Sequence, residues 1–198
     1  ERLRVMAEEG TEVPRTFVGS LRDYQVEGFR FLAARARAGM GAILADDMGL
    51  GKTIQALALL LDRMERGPQL VVAPTSVLYN WEMEASRFAP TLRVIRLDEN
   101  ERDETLKSIG KGDVLLASYG VLTRSADVLQ KRTFATVLFD EAHALKNATT
   151  KRARAAKSLH REATVLLTGT PVENHLAELH SIMDVAIPGL LGTRKAFD

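Results

Sequence analysis

Six short apolar runs, each bounded by turn residues, recur along this 198-residue chain. They are continuous rather than alternating, which is typical of strands that are covered on both faces. Helix-length segments such as 53–64 and 76–88 separate several of them. The pattern therefore predicts an α/β domain with a mainly parallel sheet. The runs are GAIL before Ala45, QLVVAP from Gln69, RVIRL from Arg93, DVLLASY from Asp113, TVLFDEA from Thr136 and TVLLTGTP from Thr164.

Polar residues stand where these runs end. Ligands of parallel α/β sheets collect at the carboxyl ends of the strands, so these positions are candidates for a binding site. They are Asp46, Thr75, Ser118, Asp140 and Thr168.

The segment before the first run predicts a helix that leads into the sheet. Its apolar stripe passes through Val26, Phe29, Phe31, Leu32 and Ala36. We expect residues 1–20 to be an upstream extension and residues 21–198 to be the domain. Because the chain begins with Glu1 rather than Met, we also expect it to be an excerpt from a longer chain.

Charge and cysteine content narrow the kinds of site that this chain carries. The net charge of +1 provides no global attraction for nucleic acid, so any such binding requires a local patch. The absence of cysteine excludes disulfides and thiolate metal sites. The four histidines lack the i, i+4 spacing of a zinc-binding helix. The longest apolar runs are far shorter than the ~20 residues of a membrane span, so we expect no membrane partner.

The stretch ILADDMGLGKTIQ follows the first run and has the composition of a phosphate-binding loop. Gly49 and Gly51 allow the backbone to curl so that its N–H groups face a phosphate. Lys52 would bind the β- and γ-phosphates, and the Thr53 hydroxyl would bind Mg²⁺. The stretch departs from G-x-x-x-x-G-K-[ST] at Asp46, which replaces the first glycine. The alternative is a glycine turn that only joins a strand to a helix.

A second motif, VLFDEAH, is an apolar run that ends in two adjacent acids. Asp140 would hold Mg²⁺, and Glu141 would orient and deprotonate the attacking water. Alternatively, the two acids cap the following helix. Together with the lysine loop, this motif predicts hydrolysis of a nucleotide.

A third motif, LLTGTPVEN, ends a run in small hydroxyl and glycine residues. Thr168 and Thr170 would hydrogen-bond to the acid loop and transmit the state of the nucleotide. The alternative is an ordinary turn, with Pro171 at the start of a helix.

Read in order, these motifs strongly resemble the first RecA-like lobe of Swi/Snf-type ATPases, DEAH-box members of helicase superfamily two. The resemblance covers residues 21–198 and rests on LRDYQVEGFRFL, LADDMGLGKTIQ, VVAPTSVLYNWEMEASRF, DVLLASYG, LFDEAHALKN and LTGTPVENHLAELHSIMDVAIPGLLG. It implies a three-layer P-loop domain and a motor that uses ATP and Mg²⁺ to move along double-stranded DNA.

The resemblance also assigns roles to individual residues. It implies that Gln25 and Arg22 recognise the adenine. The phosphate loop would comprise Asp46, Asp47, Met48, Gly49, Leu50, Gly51, Lys52 and Thr53. Coupling between hydrolysis and DNA would involve His143, Thr168, Gly169 and Thr170. Contacts to the DNA backbone would come from Thr75, Trp81, Ser118, Tyr119 and Gly120.

Simpler interpretations remain open for the DNA residues. Thr75 or Ser76 would cap the next helix, and Trp81 would pack in the core. A helical projection of residues 151–161 places four cations opposite an apolar side, which is typical of a solvated face. These cations are Lys151, Arg154, Lys157 and Arg161.

The resemblance further implies partners that lie outside this chain. They are a second RecA-like lobe of the same full-length protein and, in some members of the family, a nucleoprotein substrate. We expect the present lobe to bind ATP weakly and to hydrolyse it very slowly alone. A bacterial protein would act on the nucleoid in the cytoplasm, and a eukaryotic one in the nucleus. The alternatives are a lobe of an RNA or single-strand helicase and a non-catalytic nucleotide-binding scaffold.

Overall fold

The computed structural model describes residues 11–47, 49–169 and 176–192. Six parallel strands form one sheet in the order β1-β6-β5-β2-β4-β3. The strands are β1 (Ala42–Leu44), β2 (Gln69–Ala73), β3 (Arg93–Arg96), β4 (Asp113–Ser118), β5 (Thr133–Phe139) and β6 (His160–Leu167). All six apolar runs are therefore strands, and the α/β fold class predicted from the sequence is confirmed.

Helices connect the strands and cover both faces of the sheet. They are α1 (Asp23–Arg37), α2 (Lys52–Asp62), α3 (Leu78–Phe88), α4 (Arg102–Ser108), α5 (Tyr119–Arg124), α6 (Ala126–Leu129), α7 (Lys151–Ser158) and α8 (Leu176–Ala186). Short 3₁₀ turns occupy Met64–Arg66, Thr75–Val77 and Ala142–Leu145. In the part of the chain that is described, no helix is both long and apolar enough to cross a membrane.

Alternate strand residues enter two separate hydrophobic cores. Val71 and Leu138 face the core that α1, α2 and α3 cover. Their neighbours Val72 and Phe139 face the core that the later helices cover. Because both faces of each central strand are buried, a continuous apolar run is required. The result is the three-layer arrangement of a RecA-like domain.

The register of the sheet brings the carboxyl ends of the strands to one edge. Leu44 pairs with Leu167, and Phe139 pairs with Leu166 on one side and Val72 on the other. The residues that follow these strands therefore lie along a single edge, as the positions of the polar residues predict.

Part of the predicted upstream extension belongs to the packed domain. Phe17 is buried and its ring stacks on that of Phe88, with 5.9 Å between centroids. The N–H of Val18 donates to the Phe88 carbonyl, and the Arg37 guanidinium donates to the Thr11 hydroxyl. Residues 11–20 therefore pack on the domain rather than apart from it.

Two details of the helices differ from the sequence-based expectation. Phe31 was expected in the apolar stripe of α1, but its side chain is 37% exposed and lies under the guanidinium of Arg35. Arg161 was expected on the cationic face of a helix, but α7 ends at Ser158 and Arg161 belongs to β6. Its guanidinium donates to the carbonyls of Ala156, Leu159 and Val185. A guanidinium has five N–H donors, and these carbonyls satisfy several of them. Arg161 therefore points inward rather than into solvent.

Candidate functional site

The glycine-rich loop lies between β1 and α2. Gly49 and Gly51 have φ angles of +83° and +76°, a left-handed conformation that favours glycine. Gly51 is the residue before α2, so the free N–H groups of the first helical turn face the same side as the loop. The Lys52 ammonium donates to the carbonyls of Asp46 at 2.7 Å and Asp47 at 2.9 Å. The lysine thus lies inside the curve of the loop.

Residues at the start of α1 support this loop from outside. The Gln25 side chain is buried, and its amide nitrogen donates to the Leu50 carbonyl at 3.1 Å. Its amide oxygen accepts from the Arg22 N–H at 2.9 Å. Tyr24, which sequence reasoning missed, also donates to the Leu50 carbonyl, at 3.3 Å. A Cβ on Gly51 would come within 2.6 Å of the Gln25 amide nitrogen, so the two residues are in close contact.

The two acids follow β5. The N–H of Asp140 donates to the Val72 carbonyl at 2.8 Å, which continues the sheet hydrogen bonding by one residue. One oxygen of its carboxylate, Oδ2, accepts from the Trp81 indole N–H at 2.8 Å. The other, Oδ1, accepts from the N–H of Glu141 at 2.9 Å. The backbone carbonyl of Asp140 accepts from the Tyr119 hydroxyl at 2.8 Å.

Burial favours the protonated form of two of these groups, Asp140 and Tyr119. Desolvation raises the pKa of the Asp140 carboxyl above its usual range, and the hydrogen bond from Trp81 opposes this shift. Desolvation also raises the pKa of Tyr119, and the charges of Asp140 and Glu141 raise it further. Tyr119 therefore stays protonated and acts as a hydrogen-bond donor.

The lysine loop and the acids line one cleft of about 800 Å³. The residues predicted for the nucleotide that line it are Arg22, Gln25, Gly49, Gly51, Lys52, Thr53, Asp140 and Glu141. Asp46, Asp47 and Leu50 contribute through their carbonyls, which accept bonds from Lys52 and Gln25. Met48 lies outside the described residues.

The residues predicted to couple hydrolysis to DNA lie nearby. The exposed His143 ring places Nδ1 3.2 Å from the Glu141 carboxylate. Thr168 is fully buried, and its N–H donates to the Leu44 carbonyl at 3.1 Å, which joins the ends of β6 and β1. Gly169 follows it and is partly exposed. Thr170 and Pro171 lie outside the described residues.

The residues predicted to contact DNA divide into two groups. Thr75 is exposed and Gly120 is partly exposed. Ser118 is mostly buried and caps α5, because its hydroxyl accepts from the Val121 N–H at 3.1 Å. Trp81 and Tyr119 are only 2% and 5% exposed. Both side chains are turned inward to Asp140, and contact of these two residues with DNA stays a prediction.

The simpler interpretations of Thr75, Ser76 and Trp81 have different outcomes. No side chain caps α3, so the expectation that Thr75 or Ser76 caps it is wrong. Trp81 packs in the core as its alternative interpretation predicts. Its hydrogen bond to Asp140 was missed because the two residues are far apart in sequence and only the fold brings them together.

A second, basic groove opens near the same edge of the sheet. Its volume is about 500 Å³, and its lining residues are Gly120, Thr123, Arg124, Ala144, Thr150, Lys151 and Arg152. Lys151 and Arg152 are exposed at the start of α7. Arg124 is held by an ion pair with Glu99. The expected cationic helix face thus contributes its first residue, Lys151, to a groove that also contains Gly120.

Comparisons with known proteins agree with this architecture. Residues 24–198 match the family model described as the SNF2-related domain. The structure of the Sulfolobus solfataricus SWI2/SNF2 ATPase core in complex with dsDNA superposes with a TM-score of 0.84 at 39% identity, covering 94% of this chain and 40% of that chain. The fold and its glycine-rich loop define a RecA-like α/β domain. Within that class, the chain belongs to the SNF2-related domain family, and the resemblance seen in the sequence is confirmed.

Curated relatives are much longer than this chain. YwqA of Bacillus subtilis, which carries the provisional name ATP-dependent helicase/translocase, is 42% identical over 193 residues, covering 94% of this chain and 21% of that protein. The transcription regulatory protein SNF2 of Saccharomyces cerevisiae is 36% identical over 189 residues, covering 91% of this chain and 11% of that protein. The chain therefore spans about a fifth or less of either relative, which fits a first-lobe segment.

Proposed function

We propose that this chain is the ATP-binding lobe of a Swi/Snf-type motor that hydrolyses ATP to move along double-stranded DNA. The observation that supports this function best is that Lys52, Asp140 and Glu141 line one cleft. A cation, a partly buried carboxylate and a second acid at one sheet edge are the groups that phosphoryl transfer to water requires.

The side chains in the cleft fit a magnesium-bound triphosphate. The Thr53 hydroxyl and the Asp140 carboxylate are hard oxygen ligands, which Mg²⁺ prefers. Among the described residues, no three acidic or histidine side chains form a metal cluster. This suits Mg²⁺, which takes its other ligands from phosphates and water. When bound, Mg²⁺ neutralises charge on the β- and γ-phosphate oxygens.

Each residue then has a distinct task. The Lys52 ammonium leaves the carbonyls of Asp46 and Asp47 and binds the phosphates. Glu141 orients the attacking water and accepts its proton. His143, 3.2 Å from Glu141, couples changes at that carboxylate to the DNA. Thr168 and Gly169 take part in the same coupling between hydrolysis and DNA. We assign the adenine end of the cleft to Arg22 and to Gln25, which also supports the loop.

The proposed DNA contact lies beside the nucleotide cleft. The Sulfolobus solfataricus relative was solved as a complex with dsDNA. In this chain, exposed polar groups lie at the same edge of the sheet as the nucleotide cleft. Thr75, Gly120 and the exposed cations Lys151 and Arg152 supply backbone amides, a hydroxyl and positive charge for phosphates. Because the net charge of the chain is only +1, this local patch has to provide the attraction.

Binding of a fluorescent ATP analogue to the 198-residue chain in the presence of Mg²⁺ tests the nucleotide assignment. We expect weak binding, because only one lobe is present. Lys52→Ala should lower the affinity by at least about tenfold, since it removes a charged contact to phosphate. Glu141→Gln should retain it, because Glu141 acts on water. Failure of the wild-type chain to bind the analogue would refute the proposal.

The DNA assignment requires a longer chain that contains the second lobe. ATP hydrolysis by that protein should rise with duplex DNA more than with single strands or RNA. Stronger stimulation by RNA or by single strands would favour the alternative helicase classes. Absence of hydrolysis under every condition would favour a non-catalytic scaffold.

A further inference from the structure

The Asp140 side chain is held in place by a residue from a different segment. The chain has a single tryptophan, Trp81 in α3, and its indole N–H donates to Oδ2 of Asp140 at 2.8 Å. Trp81 is 2% exposed and packs in the core that α1, α2 and α3 share. The donor is therefore fixed by packing before any ligand binds.

The hydrogen bonds around Asp140 leave part of its carboxylate available to a cation. Trp81 occupies one lone pair of Oδ2, and the Glu141 N–H occupies one of Oδ1. An ionised carboxylate has about four lone-pair sites, so one on each oxygen remains. An indole N–H is a donor only. It orients the carboxylate without competing for the metal.

We propose that Trp81 is a positioning residue that orients the Asp140 carboxylate for Mg²⁺. The inference rests on the proposed function, because it concerns the carboxylate that we assign to the metal. Hydrogen-bond partners behind a metal ligand typically contribute about 10- to 100-fold to metal affinity. Trp81 is therefore part of the metal site although it does not contact the metal.

The same bond links Asp140 to the segment that we assign to DNA. The 3₁₀ turn Thr75–Val77 leads directly into α3, which carries Trp81. The strand before this turn, β2, also contacts Asp140, because the Val72 carbonyl accepts from the Asp140 N–H. A shift of α3 on DNA binding would therefore reach the metal carboxylate through one hydrogen bond.

The test uses the 198-residue chain and a fluorescent ATP analogue, with and without Mg²⁺, so no hydrolysis is needed. Trp81→Phe removes the indole N–H. Benzothienylalanine at position 81 also removes it and keeps the shape of the ring, which addresses a folding defect in the first variant. The matched control is Tyr79→Phe, an aromatic change in the same helix at a side chain that is 67% exposed.

We expect both replacements at position 81 to reduce the gain in affinity caused by Mg²⁺ by about tenfold. Affinity without Mg²⁺ should stay within about twofold of wild type, and Tyr79→Phe should match wild type in both conditions. If the benzothienylalanine chain keeps the wild-type response to Mg²⁺, the inference is wrong while the proposed function stands. If the wild-type chain itself shows no Mg²⁺-dependent binding, the proposed function fails.

Emission from the single tryptophan provides a second measurement on the unmodified side chain. Because the indole N–H bonds to Asp140, its emission should change when Mg²⁺ and ADP are added together, and less when ADP is added alone. The Asp140→Asn chain should lose the Mg²⁺-dependent part of this change. The inference would be contradicted if ADP binds to the wild-type chain but the tryptophan emission is the same with and without Mg²⁺.

Discussion

Glu141 has the backbone conformation that distinguishes the acid loop from ordinary turns. Its φ is +49°, and it alone among the described non-glycine residues has a positive φ. For an L-residue this costs about 1–2 kcal/mol. The N–H of Glu141 donates to the Asp140 carboxylate and its side chain lies beside His143, which offsets the strain. Such strain is typical of residues that surrounding contacts hold for a function.

Gly51 gives a prediction at the residue scale. Alanine there has to adopt a φ of +76°, and its Cβ would come within 2.6 Å of the Gln25 amide. Gly39→Ala is the matched control, because Gly39 has a φ of +66° but no atom within 4 Å of an added Cβ. Both variants should lose about 1 kcal/mol of unfolding free energy from backbone strain.

Only Gly51→Ala should also weaken nucleotide binding, by about fivefold to tenfold, because it displaces Gln25 from the Leu50 carbonyl. Thermal unfolding and titration with a fluorescent ATP analogue measure the two effects separately. Equal nucleotide affinities in the two variants would show that the contact with Gln25 is unimportant for the loop.

At the scale of elements, α2 joins the proposed nucleotide site to the base of the sheet. Its first residue is Lys52, and the residue that ends it is Arg63. The Arg63 guanidinium is 2% exposed and donates to the Thr136 hydroxyl and to the carbonyls of Ala36 and Ala135. Burial lowers its pKa from the usual value, and the nearby Glu162 opposes that shift. One side chain thus ties α2 to α1 and β5.

Replacing Arg63 tests how much this connection stabilises the domain. Arg63→Met keeps most of the apolar stem but removes the guanidinium that donates to the Ala135 carbonyl and the Thr136 hydroxyl. The Ala36 carbonyl still accepts from the Gly39 N–H. The free energy of unfolding should fall by about 2–4 kcal/mol. Arg66→Met is the control, because Arg66 is 58% exposed and its ion pair with Glu162 is long, at 3.9 Å. This variant should change the free energy of unfolding by less than about 0.5 kcal/mol.

Denaturant unfolding of the two variants provides the comparison. A loss for Arg63→Met as small as that for Arg66→Met would mean that water replaces the guanidinium without cost. The role of Arg63 in joining the two helices to the sheet would then be wrong.

At the scale of the whole molecule, the parallel sheet brings the ends of β1, β2, β5 and β6 to one edge. This arrangement provides one wall of the proposed nucleotide site. The chain covers 40% of the Sulfolobus solfataricus SWI2/SNF2 ATPase core. We propose that a second lobe supplies the opposite wall and the arginine that stabilises charge on the transferred phosphate.

Hydrolysis by this chain alone should consequently be slow. An arginine of that kind contributes about 10³- to 10⁵-fold to the rate. The 198-residue chain should therefore turn over ATP at least about 10³-fold more slowly than a longer chain with both lobes. Phosphate release measured for both proteins, with Glu141→Gln as the background, gives the ratio. Rapid, DNA-stimulated turnover by the 198-residue chain would contradict the proposal.

The elements of this fold were largely predictable because local patterns specify them. Each apolar run became a strand, and the glycines of the lysine loop have the left-handed φ angles that a phosphate loop requires. The boundaries were less accurate. β6 begins at His160, four residues before the apolar run at Thr164, because pairing with β5 extends the strand through polar residues. Arg161 was misassigned to a helix for the same reason.

The residues of the site were likewise predictable from local motifs, but some of their contacts were not. Lys52, Thr53, Asp140 and Glu141 were predicted from short motifs, because phosphate and metal chemistry restricts which side chains can serve, and the fold places all four in one cleft. Trp81 and Tyr119 were predicted to contact DNA, and the sequence did not show that both side chains hydrogen-bond to Asp140. Their direction depends on how α3 and α5 pack on the sheet, and no local pattern of residues records it.

The sequence by itself determined the strands, the loop chemistry and the family, because each depends on residues that are close together along the chain. The tertiary structure alone decided the strand order, the shared cleft and the partners of Asp140. These depend on contacts between segments that are far apart in sequence. Burial of both faces of the sheet brings those segments together, and only their packing sets which side chains meet.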